Sequence, residues 1–462
     1  MVRGKVGILY LIALIATTYL IIPCYSEPLT AKDVRTLEMI NSNLVFVVED
    51  TSIGLADLNR SWIWRQELPV PMHWYKIEDG KVLMYLRDGR FIILDLLTGK
   101  TLFKKVTELF CGAAIAGDML AFSNGTHLTV YNISSKTVEW DLSKKLLGDV
   151  EIEVWTGSSK LIVTRLANGT FLVFDWTGKA LWKYPLARTS TFLWLSRTMS
   201  LPVSNVLVVN ERVVIVWQNI TVFSSDGKVV FSEKIGDVMA LSVYQDVIAL
   251  VSSNRKLVVY SVKENRILTT TQIPVFTVKA SIYGNLIALQ GIDDNIYLYD
   301  ISSGEPYCVL SFGEKILDMA LSEDTIVAAL ANTSILKLYL SRVHPRIYIN
   351  STEKWVKQNS EAIYTVKLLE KTNEIKAQLI GINGEVKIQD DTIVVRIYPI
   401  KHIGNHNVVL YIKSAQGSTM LSLKLHITGG ETNLYYWILA VVLIALIIIL
   451  IPTVLIKQEG FS

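Results

Sequence analysis

A segment of about 40 residues recurs along most of this chain, and it limits the possible folds more than any other feature. It is clearest in FLVFDWTGKALWKYPL, Phe171 to Leu186, where an apolar strand enters a Gly-containing turn and leaves through an aromatic-rich strand. Successive copies lie 38, 37, 43, 49, 37, 39 and 40 residues apart. The residue that ends the first strand of each copy is, in order, Asp57, Asp95, Asn132, Asp175, Ser224, Ser261, Asp300 and Leu340. Eight copies at this period predict a β-propeller.

Each copy also has an upstream strand joined to it by a short turn. In KVLMYLRDGRFIILD and KLIVTRLANGTFLVFD the turns are Asp-Gly and Asn-Gly, which favour tight hairpins. A further strand, such as ILDMALS from Ile316, would complete a four-stranded blade. Small sheets of this kind bury two apolar faces only against neighbouring blades. The fold class predicted is therefore all-β, with an eight-bladed propeller. Seven blades remain the alternative, because the last copy lacks a clear outer strand, and we expect DVRTLEMIN near the N-terminus to help close the ring.

The repeated residues have a structural explanation. Asp or Asn at a strand end accepts N–H groups of the turn, and Gly accommodates a positive φ. A large ring in the outer strand covers the junction between blades. We interpret three groups of residues in this way, namely Asp57, Asp95, Asp175 and Asp300; Gly99, Gly178 and Gly227; and Trp64, Phe103, Trp182 and Phe231.

The pattern D-x-x-T-G-K-x-x-W, formed here by Asp175, Thr177, Gly178, Lys179 and Trp182, resembles the repeat of pyrroloquinoline-quinone-like propellers. The resemblance covers roughly residues 35–342. Dehydrogenases of that family carry adjacent cysteines beside the quinone, and this chain has no Cys-Cys pair. The non-catalytic members, which act as envelope assembly and scaffold propellers, match better. The resemblance therefore implies a protein-binding role with no cofactor.

Both ends of the sequence carry apolar segments. Residues 1–26 have a basic start and an apolar run, which predicts a signal peptide, with an uncleaved anchor helix as the alternative. Residues 434–456 contain 23 residues without a charge, enough to span roughly 30 Å of hydrocarbon. They predict one transmembrane helix, followed by a cytoplasmic tail at 457–462. The expected localisation is a cell membrane, single-pass, with the N-terminal ectodomain on the extracytoplasmic side.

Seven Asn-x-Ser/Thr sequons lie between these ends, against about three expected by chance. They are Asn59, Asn124, Asn132, Asn168, Asn219, Asn332 and Asn350. Four of them, Asn124, Asn168, Asn219 and Asn332, fall before the repeat's Asp strand, and Asn59 and Asn132 fall after it. We expect glycans to crowd one propeller face and to leave the opposite face or the rims for a partner.

The period is lost after the propeller region, which we place at 30–343. Seven short alternating strands at 344–428 predict an immunoglobulin-like or fibronectin-like sandwich, joined to the apolar segment by a linker at 429–433.

The sequence contains no convincing site for chemistry. His402 and His406 are four residues apart but in a strand–turn context, so a zinc site is disfavoured, and Asp293 and Asp294 are more typical of a hairpin turn than of a calcium site. Phosphate-binding loops, nucleophile elbows and zinc-protease motifs are absent from the sequence. The expected catalytic, cofactor-binding and metal residues are therefore none. Cys111 and Cys308 are expected to be buried thiols, and their pairing stays open.

Three functions remain open at this point. The first is a scaffold or subunit of a membrane or envelope complex, bound to protein partners through a propeller face or rim. The second is a ligand-binding receptor or enzyme that uses the propeller channel, which would place acidic or His side chains on the innermost strands. The third is adhesion or surface-layer attachment. The formal charge of +3 gives no reason to expect nucleic acid as a partner.

Overall fold

The computed structural model describes residues 29–59, 61–147, 151–185, 206–216, 218–370, 374–414, 416 and 418–428. The described part of the chain is all-β, with forty strands and two short 3₁₀ turns, Lys144–Leu147 and Leu340–Arg342. Thirty-two strands form eight four-stranded antiparallel sheets, and the remaining eight form two further sheets.

The eight sheets follow each other along the chain as the blades of a propeller. Blades one to four comprise β2 (Val34–Met39), β3 (Leu44–Glu49), β4 (Ser52–Asp57) and β5 (Trp62–Glu67); β6 (Met72–Glu78), β7 (Lys81–Leu86), β8 (Arg90–Asp95) and β9 (Thr101–Val106); β10 (Ala113–Ala116), β11 (Met119–Ser123), β12 (His127–Asn132) and β13 (Thr137–Ser143); and β14 (Ile152–Gly157), β15 (Ile162–Leu166), β16 (Thr170–Phe174) and β17 (Ala180–Pro185).

Blades five to eight continue the same order from the axis outward. They comprise β18 (Val206–Val209), β19 (Arg212–Val216), β20 (Asn219–Phe223) and β21 (Val229–Lys234); β22 (Val238–Tyr244), β23 (Val247–Ser252), β24 (Lys256–Ser261) and β25 (Arg266–Gln272); β26 (Thr277–Tyr283), β27 (Leu286–Gly291), β28 (Asn295–Asp300) and β29 (Pro306–Ser311); and β30 (Ile316–Leu321), β31 (Thr325–Leu330), β32 (Ser334–Tyr339) and β1 (Leu29–Thr30).

The core of the ring lies between blades. Eight clusters of buried apolar side chains each join two successive blades, and the one that contains Val45 and Val327 joins the eighth blade to the first. The ring therefore has eight blades, and the seven-blade alternative is wrong. The outer strand of the last blade is β1, which pairs antiparallel with β32. DVRTLEMIN supplies instead the innermost strand of the first blade, so only the residues just before it complete the ring.

Because successive strands alternate in direction, the two ends of each blade form two different faces of the ring. The turns after the first and third strands lie on one face, which we call the turn face. The turns after the second strand and the connections between blades lie on the other, which we call the linker face.

The remaining eight strands form a C-terminal two-sheet unit that packs face to face around buried side chains such as Tyr364, Leu410 and Leu423. One sheet is β33 (Ile347–Ile349), β35 (Ala362–Leu368), β38 (Thr392–Ile397) and β37 (Gly384–Gln389), and the other is β34 (Glu353–Lys357), β40 (Ser418–Thr428), β39 (Gly404–Lys413) and β36 (Lys376–Ile380). The prediction of a seven-stranded immunoglobulin-like sandwich is wrong. An eighth strand, β34, is present and pairs in parallel with β40. Its sequence, EKWVK, is short and charged, and for that reason carries no strand signal.

The membrane part of the predicted fold class is also corrected. No helix in the part of the chain that the structure describes is long and apolar enough to cross a membrane. The finding overturns the single-pass localisation predicted above. The predicted signal peptide at 1–26 and the apolar segment at 434–456 lie outside the described residues.

Candidate interaction surfaces

The repeated aspartates lie in the turns between the third and fourth strands, on the turn face. Asp175 accepts N–H groups of Thr177 at 2.9 Å and Lys179 at 3.0 Å, and Asp95 accepts that of Thr98 at 2.8 Å. The threonine hydroxyl groups donate to the same carboxylates and hold the pKa of Asp95 and Asp175 below the usual range. Asp57 and Asp300 make the same kind of turn contact, with Asn59 N–H at 2.8 Å and Ser303 N–H at 3.0 Å.

The repeated glycines and tryptophans lie against each other across blade junctions. The indole of Trp182 in blade four donates to the carbonyl of Ser225 at 3.1 Å, in the turn of blade five that contains Gly227. A Cβ atom on Gly227, where φ is +83°, would lie 2.5 Å from the ring of Trp182. The pairs Trp64–Gly99 and Trp140–Gly178 repeat this geometry. Trp64 and Trp182 therefore require a residue without a Cβ in the turn of the next blade, whereas a Cβ on Gly178 would lie 3.1 Å from the ring of Trp140, a tight contact.

Junctions with a smaller ring tolerate a side chain in that turn. Phe103 of blade two packs near Tyr131, and Phe231 of blade five near Tyr260. The corresponding turns of the following blades contain Lys136 and Asn265 in the positive-φ position. The sequence reasoning missed Trp140, although its spacing from Asn132 in the third copy was the signal.

The sequons occupy both faces, with the larger group on the linker face. Asn124, Asn168, Asn219 and Asn332 lie at turns between second and third strands, in blades three, four, five and eight. Asn59 and Asn132 lie on the turn face, and Asn350 follows β33 in the C-terminal unit. Side-chain oxygens of Asn124, Asn168 and Asn332 accept backbone N–H groups of their own turns. The asparagines thus also have a structural role.

Acidic side chains do lie on the innermost strands, which the sequence reasoning did not find. Asp318 of blade eight accepts the N–H of Leu37 in blade one at 2.5 Å and the ammonium of Lys279 in blade seven at 2.6 Å. Lys279 also donates to the carbonyl of Leu37 at 3.0 Å. Glu38 accepts the hydroxyl of Tyr75, in blade two, at 2.8 Å. We call Glu38, Tyr75, Lys279 and Asp318 the axial cluster.

Burial shifts the pKa of three groups of the axial cluster, Glu38, Tyr75 and Asp318. It raises the pKa of Glu38 and of Asp318, and the hydrogen bonds and the charge of Lys279 only partly oppose the shift. Burial also raises the pKa of Tyr75 well above its usual value. The cluster links blades one, two, seven and eight around the axis.

Side chains also bond the backbone of the next blade elsewhere along the innermost strands, where the strand edge that faces the axis has N–H groups without a strand partner. In the described residues a side chain of one blade also accepts an N–H of the next at other places, among them Glu78 from Ile115 at 3.0 Å, Ser242 from Ile282 at 3.1 Å and Ser281 from Leu321 at 2.9 Å. The axial carboxylates therefore belong to a repeated structural device.

The Asp293–Asn295 turn, considered above as a weak calcium site, connects the propeller to the C-terminal unit. Asp293 is buried and accepts the hydroxyls of Tyr297, at 2.6 Å, and of Thr352. Asp294 pairs with Lys424 at 2.9 Å, and Asn295 donates to the carbonyl of Ser422 at 3.3 Å. No group of three or more potential His, Cys, Asp or Glu ligands occurs in the described residues. We call Asp293, Asp294, Thr352 and Lys424 the latch.

The cysteines and histidines do not form a site together. Cys111 and Cys308 are buried and form no disulfide with each other; they lie in the connection before blade three and in blade seven, and burial raises the pKa of Cys308 to about 12. His406 contacts the carbonyl of His402 at 3.1 Å through its Nε2 atom.

The linker face carries an apolar patch that no sequence motif indicated. Met239, Phe276, Val278 and Ile292 are each about half exposed on blades six and seven, and we call them the linker-face patch. Met239 and Val278 are the extra residues of β-bulges at the start of β22 and β26, which turn their side chains out of the sheet. Phe276 is held by the guanidinium of Arg255, 5.6 Å from its ring, and its carbonyl accepts the N–H of Ile292 at 3.0 Å.

The rim of the ring is bulged as well. In blades one to seven the outer strand carries a register shift against the third strand. The extra residues are Ile63, Leu102, Glu139, Leu181, Val230, Leu268 and Tyr307. Bulges on edge strands interrupt the regular row of hydrogen-bonding groups and disfavour pairing with another chain. A partner is therefore more easily accommodated on a face of the ring than along its rim.

This chain is similar in structure to several solved proteins, of which the first below supports the fold. The computationally designed protein Ika8 superposes with a TM-score of 0.52 at 14% identity, covering 68% of this chain and 98% of that chain. BamB from Moraxella catarrhalis has 13% identity, 68% and 99% coverage and a TM-score of 0.49. Sqt1 from Saccharomyces cerevisiae has 11% identity, 68% and 97% coverage and a TM-score of 0.48. A search of curated proteins found no match to the sequence.

A family model matches more than half of the sequence. The model is described as outer membrane protein assembly factor BamB and matches residues 49–307, from the end of β3 in the first blade to β29 in the seventh. The match covers the Trp–Gly junctions and the Asp turns described above. This protein therefore belongs to the PQQ_2 family, described as outer membrane protein assembly factor BamB.

Proposed function

We propose that this protein is a non-catalytic, protein-binding scaffold in an assembly complex of the cell envelope, and that the linker-face patch is its contact surface. The family match supports the class of function, since the family description names an assembly factor. The linker-face patch is the observation that supports the choice of surface, because its four apolar side chains, on two adjacent blades, are each about half exposed. Grouped apolar exposure of this kind marks interaction sites.

The arrangement of the linker face supports the choice of blades six and seven. The patch residues project from bulges and connections that are well packed beneath, so the surface is formed before a partner arrives. The sequons of this face belong to blades three, four, five and eight, so glycans there would surround the patch without covering its two blades. This changes the expectation from the sequence that the partner surface lies on the face opposite the larger group of sequons or on the rims.

The channel is less well suited to a ligand or to catalysis. The acidic groups that a receptor or enzyme would need are present, but Asp318 and Lys279 are bonded to each other and to the backbone of blade one. Their contacts serve the closure of the ring. We therefore retain the scaffold proposal over the channel alternative.

The test compares charge substitutions in the full chain. Met239→Asp and Val278→Asp place a charge in the patch, and Val138→Asp, at an equally exposed apolar residue of the outer strand of blade three, is the matched control. Native complexes are isolated from source cells, and the stoichiometry of co-purifying proteins is quantified by mass spectrometry.

We expect a stoichiometric protein partner with the wild type and with Val138→Asp, and at least a roughly tenfold loss with either patch variant, as for a residue at the centre of an interface. Equal recovery with all variants would contradict the surface assignment. Isolation of a lone chain that holds a small molecule would contradict the function.

A further inference from the structure

A second surface lies on the C-terminal unit, on the outer face of the sheet that contains β34, β40 and β39. Trp355 of β34 is 70% exposed, and its ring stacks on that of His426 in β40, with centroids 4.2 Å apart and planes 15° apart. The Nδ1 atom of His426 lies 2.7 Å from the side-chain oxygen of Asn405 in β39. Trp355, His426 and Asn405 are cross-strand neighbours, so they form one row across the sheet.

This row holds the indole in one orientation. A single exposed apolar side chain needs no explanation, but an exposed ring fixed by stacking and by a hydrogen-bonded neighbour has already lost most of its rotamer freedom. A ligand that lies on it does not have to order it again. The stacking covers one side of the indole, and the exposure of the side chain leaves the rest of its surface to solvent.

The surroundings of Trp355 are polar. Lys357 lies two residues along the same strand, on the same face, and both are exposed; Glu353, two residues in the other direction, is half-buried and lies opposite Lys424 of β40. Asn405 and the next residue on that face of β39, Asn407, are exposed amides. The unit from 344 to 428 has eleven Lys and Arg residues against seven Asp and Glu, so it is more positive than the chain as a whole. Hydroxyl and carboxylate groups of a ligand would find donors on this face.

We propose that this row is a binding platform for an oligosaccharide that carries acidic groups. The C–H groups on one face of a sugar ring would lie on the electron-rich indole of Trp355. The amides of Asn405 and Asn407 would bond hydroxyl groups, and Lys357 would meet a carboxylate. An apolar protein surface fits the site less well, because the groups on this face around the indole are amides, an imidazole, ammonium groups and the carboxylate of Glu353.

The test uses the full chain and two probes, a hexamer of galacturonic acid and the uncharged maltohexaose, with titration calorimetry at two salt concentrations. Trp355→Ala removes the platform, and Lys357→Gln removes the charge. Ile363→Ala is the matched control, an exposed apolar residue on the other sheet of the same unit. Thermal melts establish that each variant is folded.

We expect the acidic hexamer to bind more tightly than maltohexaose and to weaken with salt. Trp355→Ala should raise the dissociation constant at least about tenfold, Lys357→Gln should lower the salt dependence, and Ile363→Ala should change neither. Equal binding of both sugars would overturn the acidic specificity. Unchanged affinity in Trp355→Ala, or binding of poly-glutamate with no binding of either sugar, would overturn the proposal.

Discussion

At the scale of single residues, the blade junctions depend on a size match between an outer-strand ring and the turn of the next blade. Trp64, Trp140 and Trp182 each face a glycine of positive φ, and each indole N–H donates to a carbonyl of the same turn. The glycine thus meets two requirements at once, a left-handed backbone and the absence of a Cβ. Substitution there should cost more than the backbone strain alone.

We expect Gly227→Ala to lower the free energy of unfolding by about 2–4 kcal/mol, of which about 1 is backbone strain and the rest overlap with the indole. Gly284→Ala is the matched control, since φ there is +56° and nothing lies within 4 Å of the added Cβ. The free energy of unfolding of Gly284→Ala should fall only by the cost of the backbone strain. Urea unfolding of both variants and of Gly227→Ala with Trp182→Phe measures the difference, and the smaller ring should restore about 1 kcal/mol. Equal losses for both glycines would contradict the size match.

At the scale of elements, the turn between β27 and β28 shows how a hairpin of the repeat acquires a second role. In blades one, two, four, six and eight this turn is largely exposed, whereas in blade seven it meets the C-terminal unit through the latch. The buried core of blades six and seven continues directly into that unit. The two parts of the chain therefore share one apolar cluster and one polar network.

Asp293→Ala should loosen this connection strongly. It leaves the hydroxyls of Tyr297 and Thr352 and the amide of Asn295 without their shared acceptor in a buried position, at a cost of about 3 kcal/mol. We expect a second, lower unfolding transition in calorimetry and faster proteolysis between 343 and 352. Asp88→Ala, in the corresponding turn of blade two, removes an exposed contact with Arg90 and should leave the unfolding transition close to that of the wild type, because solvent screens such pairs. A single unchanged transition in Asp293→Ala would count against the latch.

At the scale of the whole molecule, ring closure needs more than its terminal strand. Among the residues that the structure describes, β1 contributes Leu29 and Thr30 to the last blade. The axial cluster adds contacts between blades seven, eight and one, and the buried Lys337 of blade eight donates to Asn43 at 2.9 Å and to Asn59 at 3.1 Å on the turn face. Closure is thus shared between a short strand, an apolar cluster and buried polar groups.

The raised pKa of Glu38 makes part of this stability dependent on pH. The folded protein binds its proton more tightly than the unfolded chain, whose value is about 4.5. The contribution is therefore fully present below pH 4.5 and is lost as the pH rises through the higher folded pKa. Glu38→Gln lacks this pH-dependent contribution, so its stability relative to the wild type should increase as the pH rises above 4.5. The pKa of Asp175 is lowered in the folded protein. Its contribution to stability is therefore present above the usual pKa of an aspartate and is lost as the pH falls through the lower folded pKa.

Urea unfolding of the wild type and of Glu38→Gln between pH 4 and 8 measures how their difference in stability changes with pH, with Asp175→Asn as the comparison. A difference between wild type and Glu38→Gln that does not change with pH would contradict the assignment.

The sequence by itself determined the propeller and its period, the position of the Asp turns and the need for glycine and aromatic residues, because these follow from hydrogen bonds and packing that repeat about every 40 residues; the number of blades was decided by the closed ring. It could not indicate the axial cluster, in which Leu37 and Asp318 are 281 residues apart, or the latch, which joins Asp293 to Thr352. It also gave no sign of the linker-face patch, which depends on bulges, or of β34, whose charged residues lack the alternation of a strand. Only the closed ring and the docked C-terminal unit bring these residues together, because contacts between distant segments leave no periodic pattern along the chain.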